Sequence, residues 1–198
     1  MKKIFSFIFF ILASTAIFAQ DFKTDIANAR SNYTAGKLSD THFNLQQAMQ
    51  ELDIIVGKEV LKLLPVKMDT LASNTASDNV TTTSGFIGTS IHRGFGSSAK
   101  RADIDIITNS PLIASVNSFL SMPLMGGMMG GSNSKSISVQ GYKGRLEKNT
   151  GMQGQIDYTI QIPVNTTLIT FRVTNSTDTE ILNLANTIPL PQIAGLLK

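Results

Sequence analysis

The residue types in this chain that could do chemistry fall into a few small groups. A Ser-x-x-Lys spacing sets an amine one helical turn from a hydroxyl whose proton it could take, and it occurs twice, at Ser97/Lys100 and Ser132/Lys135. Ser77-Asp78-Asn79 supplies a polar triplet that sometimes completes such a site. Here it precedes the serine–lysine pairs, no Lys-Thr-Gly segment follows, and both serines fall in expected loops, away from any helix start. The only two histidines, His42 and His92, lack a histidine or carboxylate at metal-ligand spacing, and no serine sits in a nucleophile elbow that would select it for a Ser-His-Asp triad. Asp103 and Asp105 alternate with Arg101 along one expected strand face. A carboxylate pair of that kind can do acid–base work or hold a cation, although the same alternation describes a solvated face. Gly126, Gly127, Gly130 and Gly131 lack the following lysine and helix start of a phosphate loop. No catalytic residue is assigned on this basis.

One stretch is unusual. Met122, Met125, Met128 and Met129 lie close together in a glycine-rich run, Met122-Pro-Leu-Met-Gly-Gly-Met-Met-Gly-Gly131. Methionine repacks easily, so the run reads first as an adaptable contact surface or lid. Soft thioether ligands also suit Cu(I), which makes a copper-binding periplasmic module the alternative, with these four methionines as ligands. No other metal and no cofactor is implied.

These groups must be positioned by the rest of the chain. Its 198 residues, 42% hydrophobic and 16% charged, describe a folded protein. Lys2 and Lys3, the apolar run Ile4 to Ala13, and Ala16 and Ala19 have the pattern of a secretory leader cut after Ala19 (residues 1–19). The expected destination is periplasmic or secreted. The run is about half the ~20 residues a spanning helix requires, so no transmembrane segment is expected after cleavage. Two of the 17 basic residues leave with the leader and 14 acidic ones remain, so the mature surface is nearly neutral and unlike that of a nucleic-acid binder. The absence of cysteine excludes disulfides, thiolate metal sites and a cysteine nucleophile.

Residues 20–66 predict an antiparallel helical hairpin. Phe22, Ile26, Ala29 and Tyr33 recur at helical spacing, Gly36 breaks the helix, and Leu45, Ala48, Met49, Leu52, Ile55, Val56 and Leu63 stripe a second helix that ends before Pro65. A single pair of this kind cannot bury its own face, so the stripe must pack on the rest of the protein or on a partner. Residues 67–85, rich in Ser, Thr and Asn, read as a linker. Residues 86–198 then predict an α+β domain of about six antiparallel strands in the order β-β-α-β-β-β-β-α, with helices covering the sheet. Strands are expected over Phe86–Arg93, around Ala102/Ile104/Ile106, and around Ile137/Val139. Further ones are expected over Arg145–Lys148, Tyr158–Ile162 and Ile169–Val173, with helices after Pro111 and Asp178 and from Leu190 to Leu197. Gly141 to Gly144 is expected to form a hairpin turn that presents Tyr142 and Lys143.

The segments Val139-Gln-Gly-Tyr-Lys-Gly144 and Thr177-Asp-Thr-Glu-Ile-Leu-Asn-Leu-Ala-Asn186, with Ala29 to Pro65 and His92-Arg93 through Ser110-Pro111-Leu112, resemble a family of uncharacterised exported proteins of Gram-negative bacteria. The C-terminal strands and closing helix are distantly similar to envelope lipoprotein-carrier and sigma-regulator domains, and to the antiparallel sheets of photosystem-accessory proteins. The resemblance implies binding of lipid or protein partners and supplies no catalytic residue. The sequence therefore reads as an exported, non-enzymatic envelope protein that binds another protein or an apolar small molecule. Its candidate contacts are Met122, Met125, Met128, Met129, Tyr142, Lys143, Leu45 and Leu52. An unrecognised hydrolase is the remaining alternative.

Overall fold

Alternating apolar and polar residues dominate the second half of the chain, and a computed structural model shows how they pair. It describes residues 17–82, 88–122, 133–151 and 154–197, with side chains from residue 21 onward. The expected leader is therefore almost entirely outside the described residues. The chain forms two compact units, Met1–Ile55 and Val56–Lys198, and the division falls within one helix.

The first unit contains α1 (Ile17–Thr34) and most of α2 (Leu38–Leu63). Gly36 makes the turn with φ +74°, a left-handed conformation that costs glycine little, and the backbone N–H of Lys37 donates to the Asn32 carbonyl at 2.9 Å. The two helices have small residues buried along them, Ala29, Thr41 and Ala48, and Asn32 donates to the Asn44 amide oxygen at 3.0 Å. This much of the expected hairpin is present.

The second unit carries eight strands: β1 (Lys67–Met68), β2 (Leu71–Thr82), β3 (Thr89–Ser97), β4 (Lys100–Ile107), β5 (Ser134–Val139), β6 (Tyr142–Thr150), β7 (Ile156–Val164) and β8 (Thr167–Val173). Helix α3 (Ile113–Leu120) separates β4 from β5, and α4 (Asp178–Ala185) and α5 (Leu190–Leu196) close the chain. The spatial order is β1-β2-β3-β4-β8-β7-β6-β5, every pair antiparallel. Two four-stranded meanders thus meet where β4 pairs with β8. The α+β class and the antiparallel sheet are as the sequence predicts, but the strand count is eight and not about six.

The two extra strands come from the segment expected to be a linker. β2 has one buried residue, Leu71, and one half-buried apolar residue, Val80, among exposed or half-exposed Ser, Thr, Ala, Asn and Asp, so it lacks the apolar alternation that marks a strand. Its backbone groups are satisfied by β3, with a register shift between Asn74 and Asn79. Pairing, not burial, makes it a strand. The strand expected from Phe86 is likewise displaced. It begins at Thr89 and runs to Ser97, and residues 83–87 are outside the described residues. The turn expected at Gly141–Gly144 lies one residue earlier. Gln140 and Gly141, at φ +50° and +86°, form a two-residue hairpin loop, and Tyr142 already opposes Val139.

Pairing places side chains in rows across the strands. Ile91, Ile106, Ile169 and Ile162 form one row, and Ile104, Phe171, Ile160 and Leu146 the next. They bury a single cluster with Val60 of α2 and Leu64 just past its end, Ile181 and Leu184 of α4, and Leu190 and Ile193 of α5. Each such side chain contributes roughly 1.5–3 kcal/mol of transfer free energy. Helix α3 lies on the opposite face over β6 and β7, with the Arg145 guanidinium 4.9 Å from the Phe119 ring centroid.

Arg93 sits within the apolar rows and is 6% exposed. Its Nε and Nη2 donate to the two carboxylate oxygens of Asp78 at 3.0 and 2.6 Å, and its Nη1 donates to the Leu64 carbonyl at 2.8 Å. Truncating one partner of such a buried pair leaves the other unpaired. Arg93→Ala is expected to lower stability by about 3–5 kcal/mol in urea unfolding. An Arg93→Met/Asp78→Leu double variant should lose clearly less than Arg93→Ala, because no charge is then left stranded. Equal losses in the two variants would show that the pair carries no such penalty.

Candidate functional site

The hairpin β3–β4 turns at Ser98-Ala99, and its register sets His92 opposite Asp105 and Gly94 opposite Asp103. Alternation sends all four to the face away from the apolar rows. His92 Nδ1 lies 2.7 Å from Asp105 Oδ1, and His92 Nε2 lies 3.8 Å from Asp103 Oδ1. Asp103, buried to 7% exposure, also accepts from Arg101 Nε at 2.8 Å, and that bond pushes the Arg101 guanidinium above its ordinary pKa. Gly94 lets this cluster close up. A methyl group added there would lie 3.1 Å from Ser77 Oγ, 3.4 Å from Asp103 Oδ1 and 3.7 Å from His92 Nε2. When Nδ1–H donates to Asp105, Nε2 is left as the acceptor nitrogen, the tautomer that a general base needs. Ser77 Oγ meanwhile donates to the Asn74 carbonyl at 2.7 Å.

The carboxylate partners of His92 are absent from its sequence neighbourhood and are supplied by register. A two-residue tip at Ser98-Ala99 would have paired 92 with 105 and 94 with 103 on paper, had the strand been extended past Arg93. Among the described residues no three His, Cys, Asp or Glu side chains are grouped to hold a metal ion. His42 is exposed on α2, in the other unit.

The serine–lysine pairs dissolve in the structure. Lys100 pairs with Glu180 and Lys135 with Asp178, so both amines are committed to α4. Ser132 lies outside the described residues. Lys135 holds the Asp178 carboxyl below its ordinary pKa, with Tyr158 adding a second hydrogen bond, and Lys100 does the same for Glu180. A polar cavity of about 340 Å³ opens beside Asp178, Tyr158, Lys135 and Lys148.

The candidate contact residues separate. Met122, 53% exposed at the end of α3, shares a groove of about 570 Å³ with Phe119 and Lys143. Tyr142 belongs to the opposite face of β6 and is half-buried against the core. Met125, Met128 and Met129 lie outside the described residues. Leu45 and Leu52 are exposed on α2 together with Leu38 and Met49, while Ile26 and Tyr33 are exposed on α1.

Helical geometry places these six on one side of the hairpin. With Ala48 and Thr41 marking the buried line of α2, Leu38, Leu45, Met49 and Leu52 all fall to one flank of it, and Asn44 and Glu51 to the other. On α1, Ile26 and Tyr33 lie to one flank of buried Ala29, and Asn32 lies to the other. The Asn32–Asn44 bond marks the polar flank of both helices, so the apolar flanks coincide. Glu51, on the polar flank, has a buried Oε2 without a hydrogen-bond partner, and burial together with Asp25 and Asp21 pushes its carboxyl above the ordinary range.

No family model matches the chain, and no curated protein or solved structure matches it. Among the described residues, no helix is long and apolar enough to cross a membrane.

The α4 carboxylates predict a pH dependence. Asp178 and Glu180 are depressed from ordinary values of 3.8 and 4.5, so the stability they add is present above those values and is lost as pH falls through their folded-state values. Both are about a third or more exposed, so the effect is on the order of 1 kcal/mol or less. An Asp178→Asn/Glu180→Gln variant is expected to lose less stability than the parent between roughly pH 5 and pH 2. Unfolding midpoints that fall in parallel for both proteins would show that these groups are not responsible.

Proposed function

We propose that the chain is an exported, non-enzymatic envelope protein that acts by binding another protein through the apolar face of its helical hairpin. The observation that carries this reading is the exposure of Ile26, Tyr33, Leu38, Leu45, Met49 and Leu52 on one side of two helices. Together they expose on the order of 600 Å², at or above the largest apolar patch of an ordinary monomer. In the sheet unit most large apolar side chains are gathered into one buried cluster, and the exposed ones, such as Val66, Leu112, Met122 and Leu196, are spread over separate segments. The basic and apolar leader, and the resemblance to exported proteins, support the compartment.

A photo-reactive residue placed at Met49 in the cell-expressed protein is expected to cross-link to protein. The same probe at Gln50, which is exposed a third of a turn away, is expected to give little. Leu45→Glu/Leu52→Glu should abolish the Met49 products and change folding stability by less than about 0.5 kcal/mol, as befits exposed positions. Equal labelling from both probes would remove the basis for this reading.

A second reading rests on His92. Its ring is oriented by Asp105, and the bare Gly94 brings its Nε2 close to Ser77 and Asp103. An acid–base enzyme built on this cluster would hydrolyse an activated ester, and His92→Gln would remove the activity while leaving the far-ultraviolet circular dichroism unchanged. Turnover that survives His92→Gln would eliminate it.

A further inference from the structure

We propose that the occupant of the hairpin's apolar face is the same face of a second copy of this chain, related by two-fold symmetry with the turn ends opposed, so that four helices close an antiparallel bundle. This rests on the reading of the face as a protein-binding surface and names its partner.

The first argument is period. Leu38, Leu45 and Leu52 recur every seven residues along α2, the spacing of a helix that packs along another helix. The second is self-complementarity. About Leu45 the pattern is palindromic, with leucines seven residues away on both sides. A two-fold axis in the plane of the interface, across the helices, lays α2 antiparallel on α2 of the second copy. Leu45 then meets Leu45 and Leu38 meets Leu52, with the unlike contact made twice, as an isologous interface demands.

The third argument is charge. Between residues 21 and 53 the open end of the hairpin carries Asp21, Asp25, Glu51 and Asp53 with Lys23, whereas the turn end carries Arg30 and Lys37 with Asp40. Opposing the turn ends brings the more basic end of each copy toward the more acidic end of the other. Area agrees. Roughly 600 Å² from each copy gives about 1,200 Å² in total, the lower bound for a specific stable interface.

The mature full chain, taken from Gln20, would be examined by sedimentation equilibrium from about 1 to 100 μM. The expected result is a reversible dimer with a micromolar dissociation constant, weakened at least a hundredfold by Leu45→Glu. Lys37→Asp should weaken it several-fold, because the turn end then no longer complements the acidic end in charge. The chain lacks cysteine, so single introduced thiols report directly. Under mild oxidation Leu45→Cys should cross-link to itself, and Leu38→Cys should cross-link to Leu52→Cys in mixed samples but not to itself. A monomer at 100 μM whose Met49 probe still cross-links to protein overturns the second copy and leaves the face reading standing. A monomer whose Met49 probe labels nothing overturns both. A dimer indifferent to Leu45→Glu overturns this interface.

Discussion

The guanidinium of Arg93 is a cation held in an apolar interior by three acceptors from two other parts of the chain. Two are the oxygens of Asp78 on β2, and the third is the Leu64 carbonyl just past the end of α2. A lone charge in that position would cost several kcal/mol, so the structure closes only when all three acceptors converge. That requirement has consequences for β2. This strand has almost no apolar surface of its own, and its register shifts between Asn74 and Asn79, the stretch that contains Asp78. The carboxylate therefore helps to fix the position of a strand that only Leu71 and Val80 tie to the core. Through the Leu64 carbonyl the same group also locates the end of a long helix against the sheet, where the last turn of a helix leaves carbonyls that need donors.

The polar cluster on the other face follows from the same strand. Arg93 must point inward, so its neighbours His92 and Gly94 point outward, and the β3–β4 register brings Asp105 and Asp103 against them. The bare glycine lets Ser77, from the shifted part of β2, approach the imidazole and the buried carboxylate. The cluster is thus a product of register and of one missing side chain. Its groups are mutually compensated: Asp103 by Arg101, and Asp105 by His92. A compensated network on an open sheet face requires no substrate to explain it, which is why the functional weight falls on the hairpin, where the apolar side chains lack such compensation.

What the sequence discloses follows from the range of the forces involved. Ala102/Ile104/Ile106, Tyr158/Ile160/Ile162 and Ile169/Phe171/Val173 lie in strands buried on one face, so their alternation is written locally and their strands are legible. Asp178 announces the start of α4 because a helix N-terminus needs a side-chain acceptor, although the cap itself is the preceding Thr177, whose Oγ1 accepts from the Glu180 N–H at 3.2 Å. β2 is illegible because its strand character belongs to β3. The partners of His92, Lys100 and Lys135 are equally hidden, since strand register delivers Asp105 to His92 and the placement of α4 delivers Glu180 and Asp178 to the two lysines. The Gln140-Gly141 turn was displaced by one residue because the later glycine, Gly144, serves packing and not the turn: a methyl group there would come 3.1 Å from Ile162 Cγ1.

The hairpin shows a different limit. Its stripe is legible, because Ile26, Tyr33, Leu45, Met49 and Leu52 recur at helical spacing, yet periodicity reports only that a face is apolar, not what covers it. The buried line within the hairpin is made of Ala29, Thr41 and Ala48, residues too small to shield the leucines beside them. Larger residues on that line would themselves cover more apolar surface. Small residues bury what little they carry and leave the leucine flank facing outward. The exposure that asks for a partner thus traces to three small side chains.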